Sequence, residues 1–256
     1  MIADAQCIAR DYMKHWLPGS RLAEPADVRP IEDFCSVLAD WYDRAPWSAR
    51  DSSEQREYRR FKDETYLQFK ALREAQILVE PWLGDGQPYA SSADLRRKFS
   101  TTGTLYIYLT SSGHGPGASP GTGDGAPAEH PMREPAGITA NGVPLLHNDL
   151  FRAVHDIFGH VVHGNRFSLE GELRASWDHM QMYSPDCRRA LLTETLCQIS
   201  WFYRGPHLRR RDGTIPDCGD ADYIRPSQRP YPIQKTSLVP HEFVGSFHSL
   251  FADRWL

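Results

Sequence analysis

Apolar side chains recur at helical spacing along most of the chain. In residues 2–16, Ile2, Cys7 or Ile8, Tyr12 and Trp16 share one stripe, which Pro18 and Gly19 close. Pro30 sits where a first helical residue belongs, and Glu32 and Asp33 follow in the positive first turn. Ile31, Phe34, Val37, Leu38, Trp41 and Tyr42 then form the apolar face of a second helix. The longest predicted helix is Ser52–Glu80, capped by Ser52 or Ser53, with Tyr58, Phe61, Tyr66 or Leu67, Phe69 and Leu72 inward. Its opposite face (Arg56, Arg59, Arg60, Lys62, Asp63, Glu64) has the character of a solvated surface. Pro81–Pro88 interrupts the period, and Ser91–Phe99 is one more short helix. Thr104–Thr110 (T-L-Y-I-Y-L-T) is rich in β-branched and aromatic residues and reads as a strand, without an evident partner upstream. Helical spacing returns from Asn148 or Asp149 to Ile157 or Phe158, from Ser168 to Met182, from Ser184-Pro185-Asp186 to about Tyr203, and in Glu242–Trp255.

The expected fold class is therefore mainly α with a small β element. Ser111–Pro127 is nearly all Gly, Pro, Ser, Ala and Thr, a composition that cannot bury enough apolar surface to order itself, and it reads as a flexible loop within a single catalytic domain, 1–256. The net charge of −4 offers no electrostatic reason to expect nucleic acid. No run approaches the length of a membrane span. The five scattered cysteines, with no Cys-x-x-Cys pair, and a charged N-terminus without an apolar h-region point to a cytoplasmic protein. A homo-oligomer is compatible with this reading.

Chemistry concentrates in Leu145–Val162, which places His155 and His160 five residues apart, with Asp156 beside the first and Gly159 before the second. Neutral imidazole keeps one nitrogen lone pair free, so two histidines on one segment invite a metal, although each also has an ordinary reading as a core or helix-terminal residue. In an ideal helix five residues turn through about 500°, which leaves the two rings about 140° apart. Gly159 is expected to end the helix and let His160 fold back. The zinc-protease pattern His-Glu-x-x-His is absent, because the fourth residue after His155 is Gly159. The third ligand is expected to be Glu194, an acid within the apolar run L-L-T-E-T-L-C, where a carboxylate is costly unless paired or coordinated. Two histidines and a carboxylate suit non-haem iron(II) with an open face for O₂, and equally suit zinc with a bound water. A diiron arrangement like that of the haem-oxygenase-like oxidases would draw on Asp156, His160, Glu172, His179 and Glu194. Otherwise Glu172 and His179 are expected to stand behind the ligands, Glu172 orienting one histidine through its other ring nitrogen. Arg152 and Asn148 are the candidate substrate-binding residues. His163, the Arg209–Arg211 run, Trp177, Trp201 and Phe202 have plain surface or core readings.

The six residues H-D-I-F-G-H resemble the His-Glu-Leu-Leu-Gly-His signature of the pterin-dependent aromatic amino acid hydroxylases. R-F-S-L-E-G-E-L-R-A-S is similar to that family's Phe-x-x-Phe-Ser-x-Glu-x-Gly-x-Ala-Ser segment, and L-H-N-D-L-F-R-A-V-H to its lead-in. The similarity spans residues 142–203. It implies a helical catalytic core similar to those hydroxylases, iron(II) held by His155, His160 and Glu194, and Asp156 close to the pterin and the iron waters. It further implies a monooxygenase that hydroxylates a small molecule, an amino acid or aromatic metabolite, with O₂ and with tetrahydropterin as one candidate electron donor. The family's Pro-Glu-Pro-Asp lead-in is replaced here by Asn148–Phe151, and Ala140 stands where its carboxylate-binding arginine would fall.

Overall fold

Asp4 accepts a hydrogen bond from the Gln6 amide (3.0 Å) and so caps α1 (Ala5–Trp16) in this computed structural model, which describes residues 4–22, 32–48, 52–112 and 130–251. Further helices are α2 (Glu32–Arg44), α3 (Ser52–Glu74), α4 (Ser92–Thr102), α5 (His147–His155), α6 (Leu169–Met180), α7 (Arg188–Leu192), α8 (Gln198–Arg204) and α9 (His241–Ser249). The mainly helical reading holds. One buried apolar cluster, including Tyr12, Leu38, Phe61, Leu105, Phe158 and Phe247, joins α1 through α9. The expectations placed on Pro30 and Ile31, and most of the loop 111–127, fall outside the described residues. No helix among the described residues is long and apolar enough to cross a membrane.

The β structure differs from expectation in two ways. Helix α3 stops at Glu74 instead of continuing to Glu80, because Gln76 turns the chain through a left-handed conformation (φ 62°). The released segment is β1 (Leu78–Trp82), which pairs in parallel with β2 (Thr104–Tyr108), so the strand does have an upstream partner. Helix α4 makes the crossover that a parallel pair requires. Gly103, left-handed at φ 67°, closes α4 and starts β2. The second sheet, β3 (Pro135–Ala140) against β4 (Val143–Leu146), has no counterpart in the helical periodicity. Its turn, Asn141-Gly142, has positive φ at both positions, and Asn-Gly is the strongest short-range hairpin signal a sequence carries.

This hairpin delivers the chain directly into α5. Buried Asp149 accepts from the Leu146 amide (2.8 Å) and from the amide and hydroxyl of Thr110 (2.7 and 2.6 Å), tying the exit of β2 to the start of α5. Asn148 donates to the same Thr110 hydroxyl (3.0 Å). Helix α5 packs on α3, and its continuation packs on α6. Ser168 caps α6 through the Gly171 amide (3.3 Å), and Gly171 lies so close to the preceding turn that a Cβ would stand 2.0 Å from the Arg166 carbonyl oxygen. That contact is with backbone and cannot be relieved by a side-chain rotation. Gly171→Ala is therefore expected to lower stability by about 1–3 kcal/mol in urea unfolding, and to displace Glu172 at the next position.

Candidate metal centre

The feature that brings the two histidines together is a change of helix type. Beyond His155 the chain does not end its helix at Gly159. It widens into a π-helix, Asp156–Val161, marked by the Val162 amide donating to the Ile157 carbonyl (3.0 Å) five residues back. A spacing of five, which points two side chains apart on an α-helix, stacks them on this wider turn. Gly159 has a different role from the one expected. A Cβ there would lie 3.2 Å from both the His155 ring and the Ala175 Cβ, so its bareness lets α6 approach beneath the two rings.

Helix α6 brings the carboxylate. Glu172 Oε2 lies 3.8 Å from His155 Nε2 and 3.5 Å from His160 Nε2, and the three ligand atoms all fall within 4.8 Å of one another. An ion about 2.1 Å from each of three ligands, at angles between tetrahedral and octahedral, holds them about 3.0–3.4 Å apart. The three side chains would have to draw in around an ion to complete the set.

Hydrogen bonds behind the rings assign the tautomers. Gln68 on α3 donates its amide to the Met182 carbonyl (3.0 Å), which turns its oxygen toward His179 Nε2 at 2.7 Å. That oxygen can only accept, so His179 carries its proton on Nε2. Burial, with the charges of His155 and His160, drives His179 well below the ordinary histidine range, so it is neutral and its bare Nδ1 accepts from His155 Nδ1 (3.1 Å). His160 Nδ1 faces the Asn165 carbonyl at 3.1 Å and must donate to it. Both ligand candidates thus hold their protons on Nδ1 and turn unprotonated Nε2 atoms toward Glu172 when neutral. Held imidazoles of this kind are the usual support of metal sites. Cutting the chain at its middle with His179→Leu or Gln68→Leu is expected to weaken metal affinity about 10- to 100-fold by competition with a chelator.

The electrostatics of the site agree with a cation position. Burial alone would raise Glu172, but the charge of His160 and the hydrogen bonds and charge of the two histidines hold its carboxyl at about 2. Burial likewise opposes charge on His160, yet Glu172 outweighs it and the net shift is upward. A proton on His160 therefore persists to higher pH than on a free imidazole, and a metal must displace it. Metal affinity is expected to rise with pH, by up to about tenfold per unit for one displaced proton, until the pH passes the raised titration of His160. Competition titrations at pH 6, 7 and 8 measure this slope.

Glu194, the carboxylate expected to complete the cage, is not in this set. It lies in a second π-helical segment, Thr193–Cys197, between α7 and α8, and lines a cavity shared with His155, Asp156 and Glu172. Its oxygens are taken by other groups: Tyr58 Oη donates to Oε1 (2.6 Å), while Gln234 and Gln198 donate to Oε2 (2.6 and 3.2 Å). His130 Nε2 stands 3.4 Å from Oε1, an electrostatic contact, its Nδ1 accepting from the Met132 amide. Burial would raise Glu194, but His130 and the donated hydrogen bonds bring it below the usual carboxylate range. Among the described residues the carboxylate that groups with His155 and His160 is that of Glu172, while Glu194, expected in that place, is a buried anion matched by protein donors. His179, with both nitrogens engaged, has no lone pair left for a second ion, which also weighs against the diiron set.

The remaining expectations are placed as follows. Asp156 lines the cavity beside the two histidines, and burial raises its carboxyl despite the pull of His160 and His155. Among the described residues, none donates a hydrogen bond to that carboxyl. Arg152 and Asn148 line the same cavity. His163, expected at the surface, is instead paired with buried Asp178 (2.7 Å). In the arginine run, Arg209 pairs with Asp40 and Arg210 with Asp220 and Asp222. Trp177 and Phe202 are buried, while Trp201 is half-buried and stacks on His207. Tyr58 is read from sequence only as an inward helix residue, and Gln68, His130 and Gln234 are not singled out, since nothing in their spacing ties them to residues so far along the chain. No family model, curated protein or solved structure matches this chain.

Proposed function

We propose that this chain is a mononuclear non-haem iron(II) oxygenase that hydroxylates a small molecule, with His155, His160 and Glu172 as the iron ligands. The observation that carries the reading is the convergence of two Nε2 lone pairs, each fixed by a hydrogen bond on Nδ1, upon one carboxylate oxygen at the wall of a cavity. Such a facial set leaves coordination positions open. Iron bound there would supply the redox chemistry that activates O₂. The protein's own part is to orient the rings through Gln68, His179 and Asn165, and to place the Asp156 carboxyl where it accepts a proton or hydrogen bond from a molecule in the cavity. Tetrahydropterin is one candidate donor of the two electrons that a monooxygenase consumes.

The same ligands accept zinc, and an unpartnered carboxyl beside them, that of Asp156, is what a zinc hydrolase needs to draw a proton from bound water. Metal analysis separates the two. Protein purified without a metal column is expected to carry about one iron per chain, and the anaerobically loaded protein to consume O₂ with a substrate, in assays run with and without tetrahydropterin. Stoichiometric zinc with hydrolytic activity would replace the oxygenase reading, and no metal affinity would end both.

A further inference from the structure

The cavity beside the triad holds one group that the metal reading leaves unused. Arg152 lies three residues before His155 on α5, so the two side chains share a helix face. Its guanidinium donates to the Tyr108 carbonyl, a neutral acceptor. Among the described residues no carboxylate lies within the 4.0 Å of an ion pair with it. A guanidinium carries five donors in a planar fork suited to a carboxylate, and one withdrawn from water without an anionic partner is poised to take one. Three acids line the cavity: Glu172 is committed to the histidines and Glu194 to Tyr58, Gln234 and Gln198, while Asp156 feels the charge of Arg152 without lying within ion-pair distance of it.

Size narrows the ligand further. The cavity is about 150 Å³, walled on its apolar side by Phe151 and Ile199. A cavity of about 150 Å³ holds a benzene molecule, so the part of the occupant it encloses is about six to nine non-hydrogen atoms, the mouth being open to solvent. We propose that Arg152 is the carboxylate-binding residue of this cavity, and that the substrate is a small monocarboxylate paired with Arg152 at one end and reaching toward the His155–Glu172 side at the other. The inference rests on the metal reading only for the direction in which the reacting end points. Arg152 is assigned from its own geometry.

The test is calorimetric titration of benzoate and of benzamide, its neutral isostere, into the metal-free chain and into the anaerobic iron(II)-loaded chain. A charge-assisted hydrogen bond contributes about 1.5–3 kcal/mol, so benzoate is expected to bind about 10- to 150-fold more tightly than benzamide. Arg152→Gln should abolish that preference by weakening benzoate alone, and Arg152→Lys should restore part of it. Equal binding of the two probes within about twofold, or benzoate affinity unchanged in Arg152→Gln, overturns the proposal. If Arg152→Gln does not fold, the wild-type comparison of the two probes still decides. Iron bound at one per chain with no benzoate preference rejects the carboxylate site and leaves the metal reading intact. Arg152-dependent benzoate binding by a chain that takes no metal does the reverse.

Discussion

Under the proposed metal reading, replacing Glu172 by alanine is expected to abolish metal binding, and replacing Glu194 by alanine to leave it intact. Glu172 presents Oε2 3.8 and 3.5 Å from the two histidine nitrogens. Its removal takes away the anionic ligand and leaves a two-histidine site. The loss should exceed the 10- to 100-fold that follows from disturbing a residue behind a ligand, so occupancy after dialysis falls from about one ion per chain to below about a tenth. His160→Ala should behave alike. Glu194→Ala leaves all three ligands and their supports in place, and occupancy should stay near one. Elemental analysis of the three variants, prepared side by side, gives the answer. Metal retained in Glu172→Ala and lost in Glu194→Ala would return the carboxylate to position 194.

What Glu194→Ala should cost instead is stability. The substitution leaves the Gln234 and Gln198 amides without this acceptor in buried surroundings, while the Tyr58 hydroxyl keeps only its longer bond to the Lys235 carbonyl (3.2 Å). Each orphaned buried donor costs about 1–3 kcal/mol, reduced where water from the adjoining cavity enters the vacated space. A net loss of about 3 kcal/mol is expected, equivalent to a fall in melting temperature of roughly 6–12 °C for a chain of this size. Glu194→Gln keeps an acceptor oxygen and should lose less. The pH dependence identifies the cause. Because the folded protein holds Glu194 below its ordinary range, the carboxylate contributes stability that is present above that ordinary range and lost as pH falls toward the folded value. The wild-type protein should lose more stability on acidification than Glu194→Ala, whose acid limb is correspondingly shallower. Parallel acid limbs in the two proteins would show that the charge of Glu194 is not what its neighbours stabilise.

The contrast between these two glutamates shows how far the sequence reads. Glu194 stands in an apolar run, and that pattern correctly marks a buried acid. Burial demands partners, but partners need not include a metal. The groups that satisfy Glu194, Tyr58 and Gln234, lie 136 and 40 residues away in sequence, and no local spacing reveals them. Glu172 stands in L-E-G-E-L-R, and its sequence places it behind the ligands, orienting one histidine, and not among them. It reaches the histidines because Gly159 lets α6 sit close against the widened turn, and Gly171 lets the start of α6 close on the Arg166 backbone. The absence of any matching family, protein or structure leaves the similarity of H-D-I-F-G-H to the aromatic amino acid hydroxylases as a likeness of motif.

By itself the sequence determined the helices, since a period near 3.6 with capping serines and closing glycines is a local property. It marked a strand at Thr104–Thr110, of which Thr104–Tyr108 is extended, and it singled out His155 and His160 as candidate ligands. Only the tertiary structure decided which carboxylate meets them. The angle between two histidines five apart depends on whether the turn between them closes four or five residues back, and packing against α6, not propensity, selects the wider turn. The lone pairs available to an ion depend on hydrogen bonds from α3 and α6 to the far side of each ring. Both are set by contacts between segments distant along the chain, where periodicity carries no information.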